Sequence, residues 1–307
     1  MRNDSLLPTR KDFLRAVAGT ALLARPLAGA SGPKILMVVA HPDDEYAFAA
    51  TTYRLVRELG WSADQVVITN GESGYRYSAL AEAFYGMTLA DERNGRARLP
   101  DLRKEEAIRA GKILGIRQHY FLDQRDLGFS RDAATADASN WDRPHLLAVL
   151  GDLLARERYH AVFTLLPTVQ THGHHRAATI LALEAAARLP EDQRPLFFGV
   201  EPQARANAPL QFGGLPSQPL TATQSAEPVL TFDRATPFSR QAALNYQVVV
   251  NWVIAEHKSQ GLFQMDAGQH DLERFWLFAV SGGNAVQRVS QLRAQLSPPL
   301  HTSAARQ

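Results

Sequence analysis

Apolar runs and helically spaced segments alternate along this chain. Lys34–Ala40 is almost uninterrupted apolar sequence and predicts a buried strand. Tyr46 to Leu59 has helical spacing and stops at Gly60. The β-branched run Gln65–Thr69 predicts a second strand, ending at Asn70-Gly71-Glu72-Ser73-Gly74. An amphipathic helix is expected over Leu102–Leu114, closed by Gly115. Strand Gln118–Leu122, helix Pro144–Arg156, strand His160–Leu166, helix His175–Arg188 and strand Leu196–Val200 follow. Such alternation means βαβ units, an α/β class with a mostly parallel sheet and helices on both faces.

Two connections, Tyr75–Asp101 and Asp123–Arg143, exceed ordinary loop length and are expected to shape a substrate opening. Pro202–Pro228 is rich in proline, glycine and glutamine and reads as an irregular excursion. A long helix over Gln241–Gln260 and a late strand over Phe275–Val280 complete the pattern. One domain is expected over residues 31–296, with a disordered tail over 297–307.

The first thirty residues stand apart. Thr9-Arg10-Lys11-Asp12-Phe13-Leu14-Arg15 resembles a twin-arginine export motif with lysine as the second basic residue. The apolar stretch Ala16–Leu23 follows, then Ala28-Gly29-Ala30, the small-x-small pattern of a signal peptidase site. Residues 1–30 are therefore expected to be an export signal and the body periplasmic or extracellular, with a cytoplasmic tail as the alternative. The apolar stretch is too short for a stable membrane span.

The formal charge is +2, and most of the imbalance lies in those thirty residues. A near-neutral body gives no electrostatic footprint for nucleic acid. The 307 residues include no cysteine, so disulfides, thiolate zinc sites and a cysteine nucleophile are excluded. Any metal must be held by nitrogen and oxygen.

Such donors cluster at two strand ends. His41-Pro42-Asp43-Asp44-Glu45 follows the first strand, and His172-Gly173-His174-His175 follows the fourth. Three carboxylates in three consecutive residues repel one another, and a bound cation offsets this. Both clusters, and the Asn70 loop, fall at the carboxyl ends of strands, the rim where open α/β sheets bind ligands.

A catalytic zinc needs three protein ligands and one open position. His41 and Asp44, three apart, can reach one ion, with His175 as the third ligand and His174 as a further candidate. Asp43 then stands beside the ion as a base for zinc-activated water, and His172 can donate to the oxyanion. Each cluster also has a plainer reading: acids at a helix start are stabilised there without metal, and surface histidines are common.

AHPDDE at 40–45, NGESG at 70–74, the LRKEEA helix with LGI at 114–116, FLD at 121–123 and HGHH at 172–175 resemble the PIG-L/LmbE-like de-N-acetylases. His257-Lys258-Ser259-Gln260 resembles the family's H-x-S-Q element. The resemblance implies a Rossmann-like fold and one catalytic Zn2+ held by His41, Asp44 and His175. It also implies Asp43 as general base and His172 as the group that polarises the carbonyl or stabilises the oxyanion. Family members are often oligomeric.

The implied activity is removal of an N-acyl group, most simply acetyl, from an amino-sugar conjugate, small molecule or glycan. The alternatives are an amidase on another sugar-linked amide, or a metal- or sugar-binding homologue with decayed catalysis. Where the family usually reads His-Pro-Asp-His, this chain has His174 in place of the aspartate. The resemblance also places Arg103 toward the substrate, oriented by Glu106; an ordinary ion pair within the helix is the alternative. Asn70, Glu72 and Gly74 are expected at the pocket floor, with a structural role for Glu72 equally open. Tyr75, Arg76, Tyr77 and Trp141 are candidates for stacking on a sugar ring.

Overall fold

The computed structural model describes residues 32–131, 140–238, 244–266 and 269–297. The expected export segment, most of the tail and part of the Asp123–Arg143 connection lie outside the described residues. Among the described residues, seven strands form one sheet: β1 (Lys34–Val39), β2 (Ser62–Thr69), β3 (Ile116–Gln124), β4 (Ala161–Leu165), β5 (Leu196–Gln203), β6 (Leu230–Asp233) and β7 (Leu272–Leu277). Their order is β3-β2-β1-β4-β5-β7-β6. The first five are mutually parallel; β7 runs antiparallel to both β5 and β6.

The α-helices among the described residues are α1 (Ala49–Tyr53), α2 (Ala79–Tyr85), α3 (Glu92–Leu114), α4 (Arg143–Glu157), α5 (Gly173–Ala187), α6 (Gln247–Glu256), α7 (Gly261–Asp266) and α8 (Ala285–Leu296). Strand period sets the layers. Ile35, Met37 and Val39 of β1 face one core with α6 and α8; Leu36 and Val38 face the other with α4 and α5. Each such fully buried aliphatic side chain contributes roughly 1.5–3 kcal/mol.

Three expectations change. The expected loop Tyr75–Asp101 is largely helical, because α3 starts at Glu92, capped by Asp91 accepting from the Asn94 N–H at 3.0 Å. Pro100 sits inside this helix. An interior proline costs about 3 kcal/mol, and burial of Leu99, Leu102, Ala107, Ala110 and Leu114 on the same helix offsets it. The expected helix Gln241–Gln260 is shorter, ending at Glu256, so that His257–Gln260 is a turn. Finally, the four-residue strand β6 after the proline-rich excursion had no distinguishing pattern; it extends the sheet beyond β7.

Candidate active site and metal centre

β1 lies between β2 and β4, and strand order reverses there. Splayed connections at such a point open a crevice beyond the strand ends. β1 ends at Val39, with His41, Asp43 and Asp44 directly after it; beyond β4, His172 caps α5, whose first turn carries His174 and His175. The two clusters meet. His41 Nδ1 lies 3.1 Å from His175 Nε2 and 3.6 Å from Asp44 Oδ2, and Asp44 Oδ1 lies 3.1 Å from His175 Nε2. Donors around a tetrahedral zinc, with bonds of about 2.0–2.2 Å, stand roughly 3.3–3.5 Å apart. These three cysteine-free donors therefore fit a divalent ion with little movement.

Asp44 is aimed by the end of its own strand: Oδ2 accepts the Ala40 N–H at 2.9 Å and the His41 N–H at 2.8 Å. Burial opposes its charge, but His175 and His41 outweigh that and hold its carboxyl well below the usual range. His175 is raised: burial works against its charge and Asp44 overcomes it. Burial dominates at His41 and lowers its pKa.

Asp43 has φ +136°, a conformation rare outside glycine. Two contacts hold it. Its N–H donates to Glu45 Oε2 at 3.1 Å, and its Oδ2 accepts from Arg103 Nη2 at 2.7 Å. Burial pushes its carboxyl up to about 7, against the pull of Arg103. That value suits a base working near neutrality.

Arg103 is only 3% exposed. Besides Asp43 it donates to the carbonyls of Pro42 and Gly71, each at 2.6 Å. Gly71 has φ +64°, and a Cβ there would sit 2.2 Å from Arg103 Nη1, so the turn requires glycine. Glu106 does not orient Arg103. Its Oε1 accepts the Ser259 N–H and the Tyr85 hydroxyl at 2.8 Å each, and its Oε2 accepts the Ser259 hydroxyl at 2.6 Å. Glu45 likewise contacts His257 Nε2 at 2.6 Å, both fully buried. These two carboxylates anchor the His257–Gln260 turn beneath the site.

His172 Nδ1 accepts the His174 N–H at 2.9 Å, which places the ring proton of a neutral His172 on Nε2. Burial, reinforced by His41, His175 and His174, pushes its pKa down to about 2. His172 is thus a neutral hydrogen-bond donor. His174 stands against Asp126, its Nδ1 3.4 Å from Oδ1.

A cavity of about 420 Å³ opens on this group. His41, Asp43, Asp44, His172 and His175 form one wall; Arg76, Tyr77 and Phe129 are among its other lining residues. Asn70 and Glu72 do not line it, contrary to the sequence-based expectation. Glu72 is buried and accepts the Asp126 N–H at 3.1 Å; it braces the β3 loop. Tyr75 and Trp141 are also buried, Trp141 against the His174 ring at 5.2 Å, which leaves Tyr77 and Phe129 as the exposed aromatics of the cavity wall. Asp126 was missed by sequence reasoning. Its signal was faint: one acid a few residues past a strand, in a loop with other charges.

The family model described as GlcNAc-PI de-N-acetylase, PIG-L, matches residues 36–186, the span that carries every residue of the triad. Residues 36–186 are a PIG-L family domain. The chain is similar to the probable N-acetyl-alpha-D-glucosaminyl L-malate deacetylase 2 of Bacillus cereus, at 25% identity over 54% of this chain and 66% of that one. A protein of the same description from Bacillus anthracis matches at 28% identity over 54% of this chain and 65% of its own length. The chain thus spans just under two thirds of the curated relatives it matches. Its fold is similar to a triple mutant of a deacetylase, Orf2*T, involved in the teicoplanin biosynthetic pathway. The TM-score is 0.51 and the identity 13%, over 80% of this chain and 98% of that one.

Proposed function

We propose that this protein is a zinc-dependent amidohydrolase that removes an N-acyl group, most simply acetyl, from an amino-sugar conjugate. The observation that carries the reading is the meeting of His41, Asp44 and His175 within 3.1–3.6 Å, with Asp43 beside them at the cavity wall. The PIG-L family domain and the names of the curated relatives support the substrate class.

Bound by the triad, a zinc ion supplies Lewis acidity toward both water and the amide carbonyl. Asp43 takes the proton from the attacking water and returns it to the departing amine. Arg103 and the Glu45 contact keep Asp43 turned toward the cavity while it does so. The Nε2–H of His172 faces the oxygen on which negative charge develops. The cavity volume lies within the range of small-molecule sites, and Tyr77 and Phe129 offer faces for a sugar ring.

The test is zinc-loaded protein mixed with N-acetylglucosamine conjugates, with free amine monitored. Turnover that falls by about 10²–10⁴ in Asp43→Asn supports the assignment; unchanged turnover removes Asp43 as the base. A second reading rests on His174: without an acid beside it in the motif, His172 stays neutral, and the chain would be a metal- and sugar-binding homologue with decayed catalysis. Tight zinc retention with no hydrolysis of any acylamino sugar selects that reading.

A further inference from the structure

Among the described residues, the carboxylate and guanidinium side chains that line the cavity are Asp43, Asp44, Arg76, Arg103 and Asp126. All but one are matched. Arg103 holds Asp43, and His41 and His175 face Asp44. Asp126 accepts the Ser73 N–H at 3.1 Å and the Gly128 N–H at 2.8 Å, beside His174. Arg76 is the exception. It is exposed and makes no ion pair among the described residues. Glu92, an acid whose charge reaches Arg76, is taken by Arg96, whose Nε donates to Oε1 at 2.9 Å.

This unmatched cation is nonetheless held in place. Its Nε donates to the Tyr75 hydroxyl at 3.1 Å. Tyr75 is buried against α3, so closely that a Cβ added at Gly95 would lie 2.2 Å from the Tyr75 Cβ. The single-turn segment that carries both residues, Glu72–Tyr77, is fastened on either side. Arg103 donates to the Gly71 carbonyl at 2.6 Å, and the Ser78 hydroxyl donates to the Ser259 carbonyl at 2.8 Å. With Nε engaged, Nη1 and Nη2 of Arg76 are left, and neither has a hydrogen-bond partner among the described residues. The paired N–H groups at the end of a guanidinium match the two oxygens of a carboxylate or phosphate. A fork fixed in advance loses less entropy when it makes that contact.

We infer that Arg76 is a specificity-determining residue, which receives an anionic oxygen group, carboxylate or phosphate, on the part of the substrate beyond the N-acylated sugar. The substrate class is then an acidic amino-sugar conjugate, not a neutral one. This rests on the amidohydrolase reading of the same cavity. Arg76 lines that cavity together with the triad and Asp43, so one conjugate can present its amide to Asp43 and its anion to Arg76. Tyr77, the next residue, also lines it and is 41% exposed, which leaves its ring for the sugar. Solvent screens an exposed guanidinium, so the preference is several-fold and not orders of magnitude. The contact is made equally in the bound and the reacting substrate, so its loss reads in KM more than in kcat.

The test compares three probes on the zinc-loaded full chain: the methyl glycoside of N-acetylglucosamine, its carboxymethyl glycoside, and N-acetylglucosamine 1-phosphate. Wild type is expected to favour at least one of the two anionic probes over the methyl glycoside by about fivefold or more in kcat/KM; which of the two gains more tells carboxylate from phosphate. The preference should shrink as ionic strength rises to about 1 M, where the Debye length is near 3 Å. Arg76→Gln should bring the ratio to within about twofold of one, and Arg76→Glu should turn it against the anions. Arg76→Lys, which keeps the charge without the fork, should fall between wild type and Arg76→Gln. No preference in wild type overturns the inference, as does a preference that survives in Arg76→Gln. If wild type hydrolyses none of the three, the proposed function fails by itself. Calorimetric Kd values for the same three probes then read the Arg76 preference, with the same ratios expected, so the two failures are distinct.

Discussion

Arg103 holds Asp43 by a 2.7 Å contact from Nη2 to Oδ2, and the same guanidinium ties down the backbone of the turns after β1 and β2, at Pro42 and Gly71. One cation thus fixes a strained acid and the two turns that frame it. Removing one partner of a buried ion pair typically costs about 3–5 kcal/mol. Arg103→Met is therefore expected to lower stability by that order, read in urea unfolding. Arg103→Lys keeps the charge but cannot span three acceptors; it should fold and lose kcat more than it raises KM.

The Gly71 turn gives a separate check on the same clamp. Gly71→Ala places a methyl group onto the guanidinium and forces a left-handed residue away from glycine. Each effect costs of order 1 kcal/mol or more. The expected result is a loss of both stability and turnover, in a residue that does not line the cavity.

Metal should bind the folded protein and depend on all three donors. His41→Ala, Asp44→Ala and His175→Ala are each expected to abolish tight zinc retention after dialysis. Zinc at about a hundredfold over its Kd stabilises a folded protein by roughly 2.7 kcal/mol. A zinc-induced rise in Tm should appear in wild type and vanish in these three variants.

Asp43 predicts the acid side of the pH profile. Burial pushes its carboxyl up to about 7, so the base is progressively protonated, and kcat/KM lost, as pH falls through that value. The positive charge of a bound ion moves the midpoint lower. Asp43→Asn should remove this limb along with most activity.

Glu201, at the end of β5, gives a stability prediction of known sign. Burial pushes its carboxyl up to about 7, against His175. A carboxyl with a raised folded-state pKa favours folding while protonated. Its contribution is full below the unfolded value near 4.3 and is lost as pH rises through about 7. Glu201→Gln should therefore raise Tm at pH 8, by on the order of 1–3 kcal/mol in stability, and change little at pH 5.

Much of this protein was legible along the chain. Unbroken apolar runs separated by helical spacing fixed β1 to β5 and the helices between them, because strand and helix periods are local properties. The same logic placed His41, Asp44 and His175 on one rim, since residues after parallel strands share an edge. What the chain order left open was which partner each charged side chain would choose. Arg103 faces Asp43 and Glu106 faces Ser259 because β2, α3 and the His257 turn converge there; no spacing within α3 encodes it. Asp126 meets His174 only because β3 and α5 end at the same crevice. Local periodicity decided the elements; long-range packing in a medium that penalises unpaired charge decided the pairs.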